Sequence, residues 1–155
     1  MLKGLDNRLN AEVLFALRAM GHGDTLVISD TNFPADSIAR QTSFGDLLRM
    51  DNLTCAEAVE AVLSVLPLDT FVDDFAGRME VVGAPDKIEP VQAEVQAKIN
   101  AAEGRVREMI SIERFDFYDR AREAYAVIQT GERRFYGCFI LRKGVIAPDA
   151  VGSVH

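Results

Sequence analysis

One histidine lies between two glycines, Gly21-His22-Gly23, with Asp24 beside it and Asp30 at the far end of the apolar run Leu26-Val27-Ile28. Imidazole has an unperturbed pKa of about 6.5, so near neutral pH it can both give and take a proton. Flanking glycines open backbone conformations closed to other residues and leave room for a ligand to reach the ring. A histidine at this spot can also do no more than satisfy the end of a helix, because an imidazolium is favoured there. Asp30 has a similar double reading, since an aspartate at a strand end can cap the following turn as well as bind a ligand. Asp24 could orient His22, but its position favours capping the turn.

The elements that must hold these groups follow from periodicity and breakers. Asn10 is a good N-cap for a first helix, with Val13, Leu14, Leu17 and Met20 on one face and Gly21 as its stop. Leu26 to Ile28 then read as a buried strand that Asn32-Phe33-Pro34 ends, which puts His22 on a helix-to-strand turn. Thr54 and Glu57 form a capping box for a helix carrying Val59, Val62, Leu63 and Leu66, with Pro67 as terminator. Met79 to Val82 is expected as a short strand. Pro90 opens a helix with Val91, Val95, Ile99 and Ala102 on one face, closed by Gly104. Met109 to Ile112 reads as a strand, Phe115, Tyr118, Ala121 and Tyr125 as a helix, and Ala126-Val127-Ile128 as a strand again. Thr130-Gly131-Glu132-Arg133 makes a turn, and Phe135 to Leu141 reads as a hairpin-like return ending near Lys143-Gly144. This alternation predicts an α/β fold, one domain over residues 1–147 with a central mixed sheet covered by helices, and a frayed tail over 148–155.

Composition narrows the partners. The chain has 155 residues, with 17 Lys+Arg against 24 Asp+Glu and a net charge of −7. No basic run is long enough to track a phosphate backbone, so no nucleic-acid partner is expected. Cys55 and Cys138 show neither metal-site nor redox-motif spacing, which predicts free thiols in a reducing compartment. No apolar stretch approaches the length of a membrane span, and the opening Met1-Leu2-Lys3-Gly4 lacks a signal-peptide core, so no membrane partner and a cytoplasmic location are expected.

Five further blocks run in order over nearly the whole chain: Met1-Leu2-Lys3-Gly4; Met20-Gly21-His22-Gly23-Asp24; Asp30-Thr31-Asn32-Phe33-Pro34-Ala35; Arg114-Phe115 with Phe117-Tyr118; and Thr130-Gly131-Glu132-Arg133 followed by Tyr136-Gly137 and Lys143-Gly144. With them the sequence resembles the bacterial sugar mutarotase family that contains L-fucose mutarotase and D-ribose pyranase. The fucose branch is closer, because the ribose branch carries Gly-His-Thr-Asp and Gly-Leu-Pro where this chain has Gly23 and Asn32-Phe33-Pro34. The resemblance implies interconversion of the α and β anomers of a free monosaccharide, without a metal or organic cofactor. It implies His22 as the acid/base group, and Asp30, Arg114 and the segment Tyr136-Gly137-Cys138 as sugar contacts. The family pattern has asparagine where this chain has Cys138, and a thiol cannot replace an amide contact to a hydroxyl in kind. A ring-shaped homo-oligomer, a decamer whose sites are completed by neighbouring subunits, is also implied.

These residue types suit the reaction. Opening a sugar ring needs one group to take the anomeric proton while another gives a proton to the ring oxygen, and closure on the other carbonyl face reverses both. Tyr136 and Tyr118 are candidate partners for His22, although buried tyrosines as often only pack. Arg114 offers a planar fork of donors to neighbouring hydroxyls; its alternative is a surface ion pair with Glu113 or Asp116. Phe33, Phe115 and Phe117 are read as core rather than as stacking platforms. D-ribose pyranase activity and a non-catalytic sugar-binding accessory to uptake remain open. A hydrolase finds no nucleophile elbow, and the histidines are too few for a typical zinc site.

Overall fold

The computed structural model describes residues 1–151. Six strands form one sheet in the order β2-β5-β1-β6-β3-β4. The strands are β1 (Thr25–Ser29), β2 (Leu48–Met50), β3 (Ala76–Met79), β4 (Ile110–Ile112), β5 (Ala126–Thr130) and β6 (Cys138–Arg142). The helices are α1 (Ala11–Ala19), α2 (Ala35–Ala39), α3 (Cys55–Leu63), α4 (Pro90–Glu103), α5 (Arg114–Arg122) and the single turn α6 (Pro148–Val151). The tail expected to fray thus begins in α6, and its residues 152–155 lie outside the described residues.

β1 pairs in parallel with β5, and β2 with β5; β3 pairs in parallel with β4, while β6 runs antiparallel between β1 and β3. The mixed sheet separates two apolar layers. Leu26 and Ile28 of β1, Ala126 and Ile128 of β5, and Phe139 and Leu141 of β6 face α1, α3 and α4. Val27, Val127, Cys138 and Ile140 face α2 and α5 on the other side. This is the period-2 alternation of strands buried on both faces.

Several expected boundaries hold for the expected reasons. Asn10 Oδ1 accepts from Val13 N–H at 2.9 Å, the Thr54–Glu57 capping box closes in both directions, and Gly104 ends α4 in the left-handed region at φ 68°. Three expectations are corrected. First, Phe135 to Leu141 does not return as a hairpin on β5. The chain crosses the end of β1, where Thr31 N–H donates to Glu132 O, and β6 then pairs with the far side of β1. Gly131 is pressed so closely on Asp51 O that a Cβ would sit 2.0 Å from it, which steers the turn against the 51–53 loop. Second, the strand expected at Met79 to Val82 lies at Ala76–Met79. Gly77 is needed there because Ile112 Cδ1 occupies the space of a side chain, and the apolar Val82 is 62% exposed beyond the strand. Third, α1 stops because Met20 turns extended, with ψ 141°, rather than on a left-handed Gly21.

Candidate functional site

All strands except β6 point the same way, so their C-terminal ends share one edge of the sheet, where open α/β folds bind ligands. Asp30 follows β1, Met79 ends β3, and Arg114 opens α5 after β4. Tyr136 precedes antiparallel β6, which starts at Cys138. Asp30, Arg114, Tyr118, Tyr136 and Cys138 line one pocket of about 290 Å³, with Phe33, Met79, Val82 and Phe135 supplying apolar walls.

Asp30 is 3% exposed, and its two oxygens are used by its own chain. Oδ1 accepts from Asn32 N–H and Phe33 N–H, each at 2.9 Å, and Oδ2 accepts from Gly137 N–H at 3.0 Å and from the Cys138 thiol at 3.7 Å. Burial pushes its carboxyl above the usual range, against the pull of three backbone N–H groups. The aspartate therefore ties the Tyr136-Gly137-Cys138 segment to the end of β1. Gly137 allows that approach, since a Cβ would lie 3.1 Å from both Asp30 Cβ and Glu132 Cγ.

Tyr136 is the one non-glycine residue in the left-handed region among those described, at φ 62°. Such strain costs roughly 1–3 kcal/mol and persists only where the surroundings over-determine it. Here fully buried Gln92 donates from Nε2 to Tyr136 O at 3.3 Å and to Met79 O at 2.8 Å, while the phenol oxygen accepts from Val82 N–H at 3.2 Å. Among the described residues no acceptor pairs with the Tyr136 hydroxyl proton.

Arg114 makes neither ion pair offered as its alternative role. The Glu113 carboxylate caps α5 by accepting from Phe115 N–H and Asp116 N–H, and Asp116 pairs with Arg120. Arg114 Nε instead donates to Tyr118 Oη at 3.4 Å, and the residue lines the pocket. Burial pushes the Cys138 thiol far above its usual range, so it is a neutral wall group. Of the aromatics read as core, Phe117 is fully buried, Phe33 is buried yet touches the pocket, and Phe115 is exposed.

His22 is not in this pocket. It lies at the opposite edge of the sheet, before β1, roughly 20 Å away at the rise of an extended strand. Its turn is rigid: Asp24 Oδ2 accepts from Gly21 N–H at 2.7 Å, and Gly23 N–H donates to Lys143 O at 2.9 Å. His22 Nε2 is 3.1 Å from Oδ2 of Asp69, a carboxylate the sequence reading missed because nothing around Leu68-Asp69 marks it. Phe71 N–H and then His22 hold the Asp69 carboxyl below its usual range, overcoming its burial. A carboxylate can only accept, so the neutral tautomer that fits this contact has its proton on Nε2 and its acceptor lone pair on Nδ1.

This pair has a pH signature. Because Asp69 is depressed in the folded state, its stabilisation is complete above its unfolded pKa of about 3.9 and is lost as pH falls through the lower folded value. Asp69→Asn is therefore expected to lower stability by roughly 1–3 kcal/mol at neutral pH, with the deficit shrinking below about pH 4. Urea denaturation of both proteins across pH checks this, and a deficit that stays constant into acid would remove the ionic contribution.

Comparison with known proteins adds to the geometry. The profile of the RbsD / FucU transport protein family matches residues 3–146. Fucose mutarotase of Homo sapiens is 47% identical over 150 residues, covering 94% of this chain and 95% of that protein. The crystal structure of protein Atu2016, provisionally described as a sugar binding protein, superimposes with a TM-score of 0.93 at 65% identity, over 95% of this chain and 97% of that one. The fucose mutarotase of Streptococcus pneumoniae, solved in complex with L-fucose, superimposes with a TM-score of 0.84 at 33% identity, over 94% and 100% of the two chains.

Proposed function

The chain belongs to the RbsD / FucU transport protein family, and from that membership we propose that it is an isomerase interconverting the α and β anomers of L-fucose. The observation that carries this reading is the pocket at the C-terminal sheet edge. Its lining combines two kinds of surface: hydrogen-bonding groups from Arg114, Tyr118 and Tyr136, and weakly polar or apolar surface from Met79, Phe33 and Cys138. A 6-deoxy sugar has the matching halves, hydroxyls for the first and a methyl group for the second.

Ring opening takes a proton from the anomeric hydroxyl and delivers one to the ring oxygen, with no bond to the protein. His22 Nδ1 supplies the acid/base group, and its orientation is kept by Asp69. Since His22 and the pocket lie at opposite edges of one subunit, the reaction needs the histidine of a neighbouring copy. Exposed apolar residues flank both halves: Phe71, 71% exposed, packs edge-on to His22, and Phe115 and Phe135 lie beside the pocket at 66% and 73%. We therefore propose a homo-oligomer, by family resemblance a decameric ring in the cytoplasm, in which each site joins two subunits. No metal or organic cofactor is required by this chemistry.

Exchange spectroscopy on L-fucose with a chelator present tests the proposal. The expected result is transfer between the α and β anomeric signals at rates well above the buffer reaction. Saturable binding without faster exchange would make the protein a sugar-binding accessory instead, and faster exchange on D-ribose but not L-fucose would move it to the pyranase reading.

Cys138 gives a narrower test. Cys138→Asn restores an amide donor at the position where the thiol now meets Asp30. It is expected to tighten L-fucose binding by about 0.5–1.5 kcal/mol, the worth of one net hydrogen bond, as read by calorimetric titration. Weaker binding would show that the wall around Cys138 is shaped for a different sugar.

A further inference from the structure

On the other face of β3 from the sugar pocket, Arg78 carries a charge with no ion-pair partner among the described residues. Its side chain is buried, with the residue 8% exposed, between Phe139 of β6 on one side and Ser111 of β4 on the other, whose hydroxyl donates to the Glu80 carboxylate at 2.6 Å. Nη2 donates to Pro85 O at 3.2 Å, and Nη1 is buried without a hydrogen-bond partner. No carboxylate lies within ion-pair distance of it among the described residues. A guanidinium cannot shed its proton, and buried charges in folded proteins are paired. Arg107 differs in its charge partner rather than in its hydrogen bonds: its Nη1 is likewise buried without a hydrogen-bond partner, but Glu103 stands 3.5 Å away, Asp69 O accepts from Nη2 at 2.8 Å, and the Phe75 ring lies 3.6 Å from the guanidinium carbon.

Arg78 opens instead on a cavity of about 410 Å³ against α4, which Gln92, Gln96, Asn100, Glu108 and Met109 also line. Asn100 offers a second donor there. Its Oδ1 accepts from Gln96 Nε2 and Arg107 N–H, and its Nδ2 has no hydrogen-bond partner among the described residues. We propose that this cavity is a second binding site, separate from the sugar pocket, for a small anion bearing a phosphate or carboxylate group, with Arg78 as the anchor and Asn100 as a further donor. The planar fork of a guanidinium matches two oxygens of either group, which a point charge would not. Gln92 forms a common wall between the two sites, since the same side chain that faces this cavity holds Met79 O and Tyr136 O. Glu108 is the internal competitor: it lines the same cavity but makes no ion pair with Arg78.

Methionine methyl NMR of the intact assembly separates the two sites, because Met109 lines this cavity and Met79 lines the sugar pocket. With inorganic phosphate and acetate as probes at constant ionic strength, the Met109 methyl signal is expected to shift saturably. Arg78→Gln should weaken that response about tenfold or more, while L-fucose still shifts the Met79 signal. Asn100→Asp keeps the acceptor that Gln96 and Arg107 use and turns the donor into a repelling carboxylate, so it should lose the phosphate response even if Arg78→Gln fails to fold. The proposal is overturned by no saturable shift in the wild type, by equal affinity in the folded variants, or by a response that emerges only in Glu108→Gln, which would make Glu108 the partner of Arg78. Phosphate alone shifting Met109 assigns phosphate esters, acetate alone assigns carboxylates, and either outcome supports the anion site.

Discussion

Replacing His22 with glutamine is expected to slow anomer exchange by roughly 10²- to 10⁴-fold, the usual worth of general acid-base help, while fold and L-fucose binding survive. The side chain is 46% exposed, bonded to Asp69 and edge-on to the exposed Phe71, so no core is disturbed. The residues that would hold the sugar sit at the other edge of the sheet. The shared-site reading makes a further demand on mixtures. His22→Gln and Arg114→Ala subunits are each expected to be inactive, yet co-assembled at equal ratio they should regain about a quarter of wild-type sites, those that draw both intact parts from different subunits. Exchange NMR on the refolded mixture reads this directly. Full rates in folded His22→Gln would remove His22 from the chemistry, and no recovery on mixing would remove the neighbour from it.

Asp30→Asn is expected to be costly for a different reason. An amide is the same shape as the carboxylate but has one oxygen, and Asp30 uses both of its own on N–H groups at either end of a crossing. Whichever way the amide turns, its NH₂ faces backbone N–H. The buried orphan donors should cost about 1–3 kcal/mol of stability, and release of Gly137 should displace Tyr136 and Cys138 from the pocket. Loss of L-fucose affinity by about tenfold or more, some 1.4 kcal/mol, is expected alongside. Denaturation and calorimetry together distinguish two roles. If stability and affinity fall together, Asp30 is a scaffold; if affinity alone falls, it touches the sugar directly; if neither falls, the tie to Gly137 carries no weight.

Much of this arrangement could be read from local signals. Caps and breakers at Asn10, Thr54, Pro90 and Gly104 act within a few residues, so their helices were expected where they stand. Consecutive apolar residues marked β1 and β5 because both faces of those strands are buried. The short pieces failed that test. α2 is five residues and β2 is three, too brief for any periodicity to show, and β3 carries Gly77 and Arg78 where a strand pattern would want apolar side chains. The order of strands was not legible either, because it is decided by which edge of β1 remains open when β6 arrives. For the site, family resemblance supplied Arg114 and the Tyr136 segment. Asp69, the partner of His22, comes from a loop 47 residues away and bears no local mark. Gln92 was more accessible: it is the reciprocal half of a capping box with Glu89, at the third position of a helix opened by proline.

The strand order also says how the chain must fold. Leu26 in the middle of the sheet pairs with Ala126 on one side and Leu141 on the other, partners separated from it by roughly a hundred residues or more. Contacts of shorter separation, such as those between α3 and α4, can form earlier, but the centre of the sheet waits for the closure of a long loop, whose entropy must be met before pairing rewards it. Refolding is therefore expected to fall toward the slow end of the range for chains of this size. During synthesis, Leu26-Val27-Ile28 would leave the ribosome with both hydrogen-bonding edges open and remain so until nearly the whole chain had followed. In that interval a segment that later lies buried at the centre of the sheet is the one most exposed to pairing with another nascent copy.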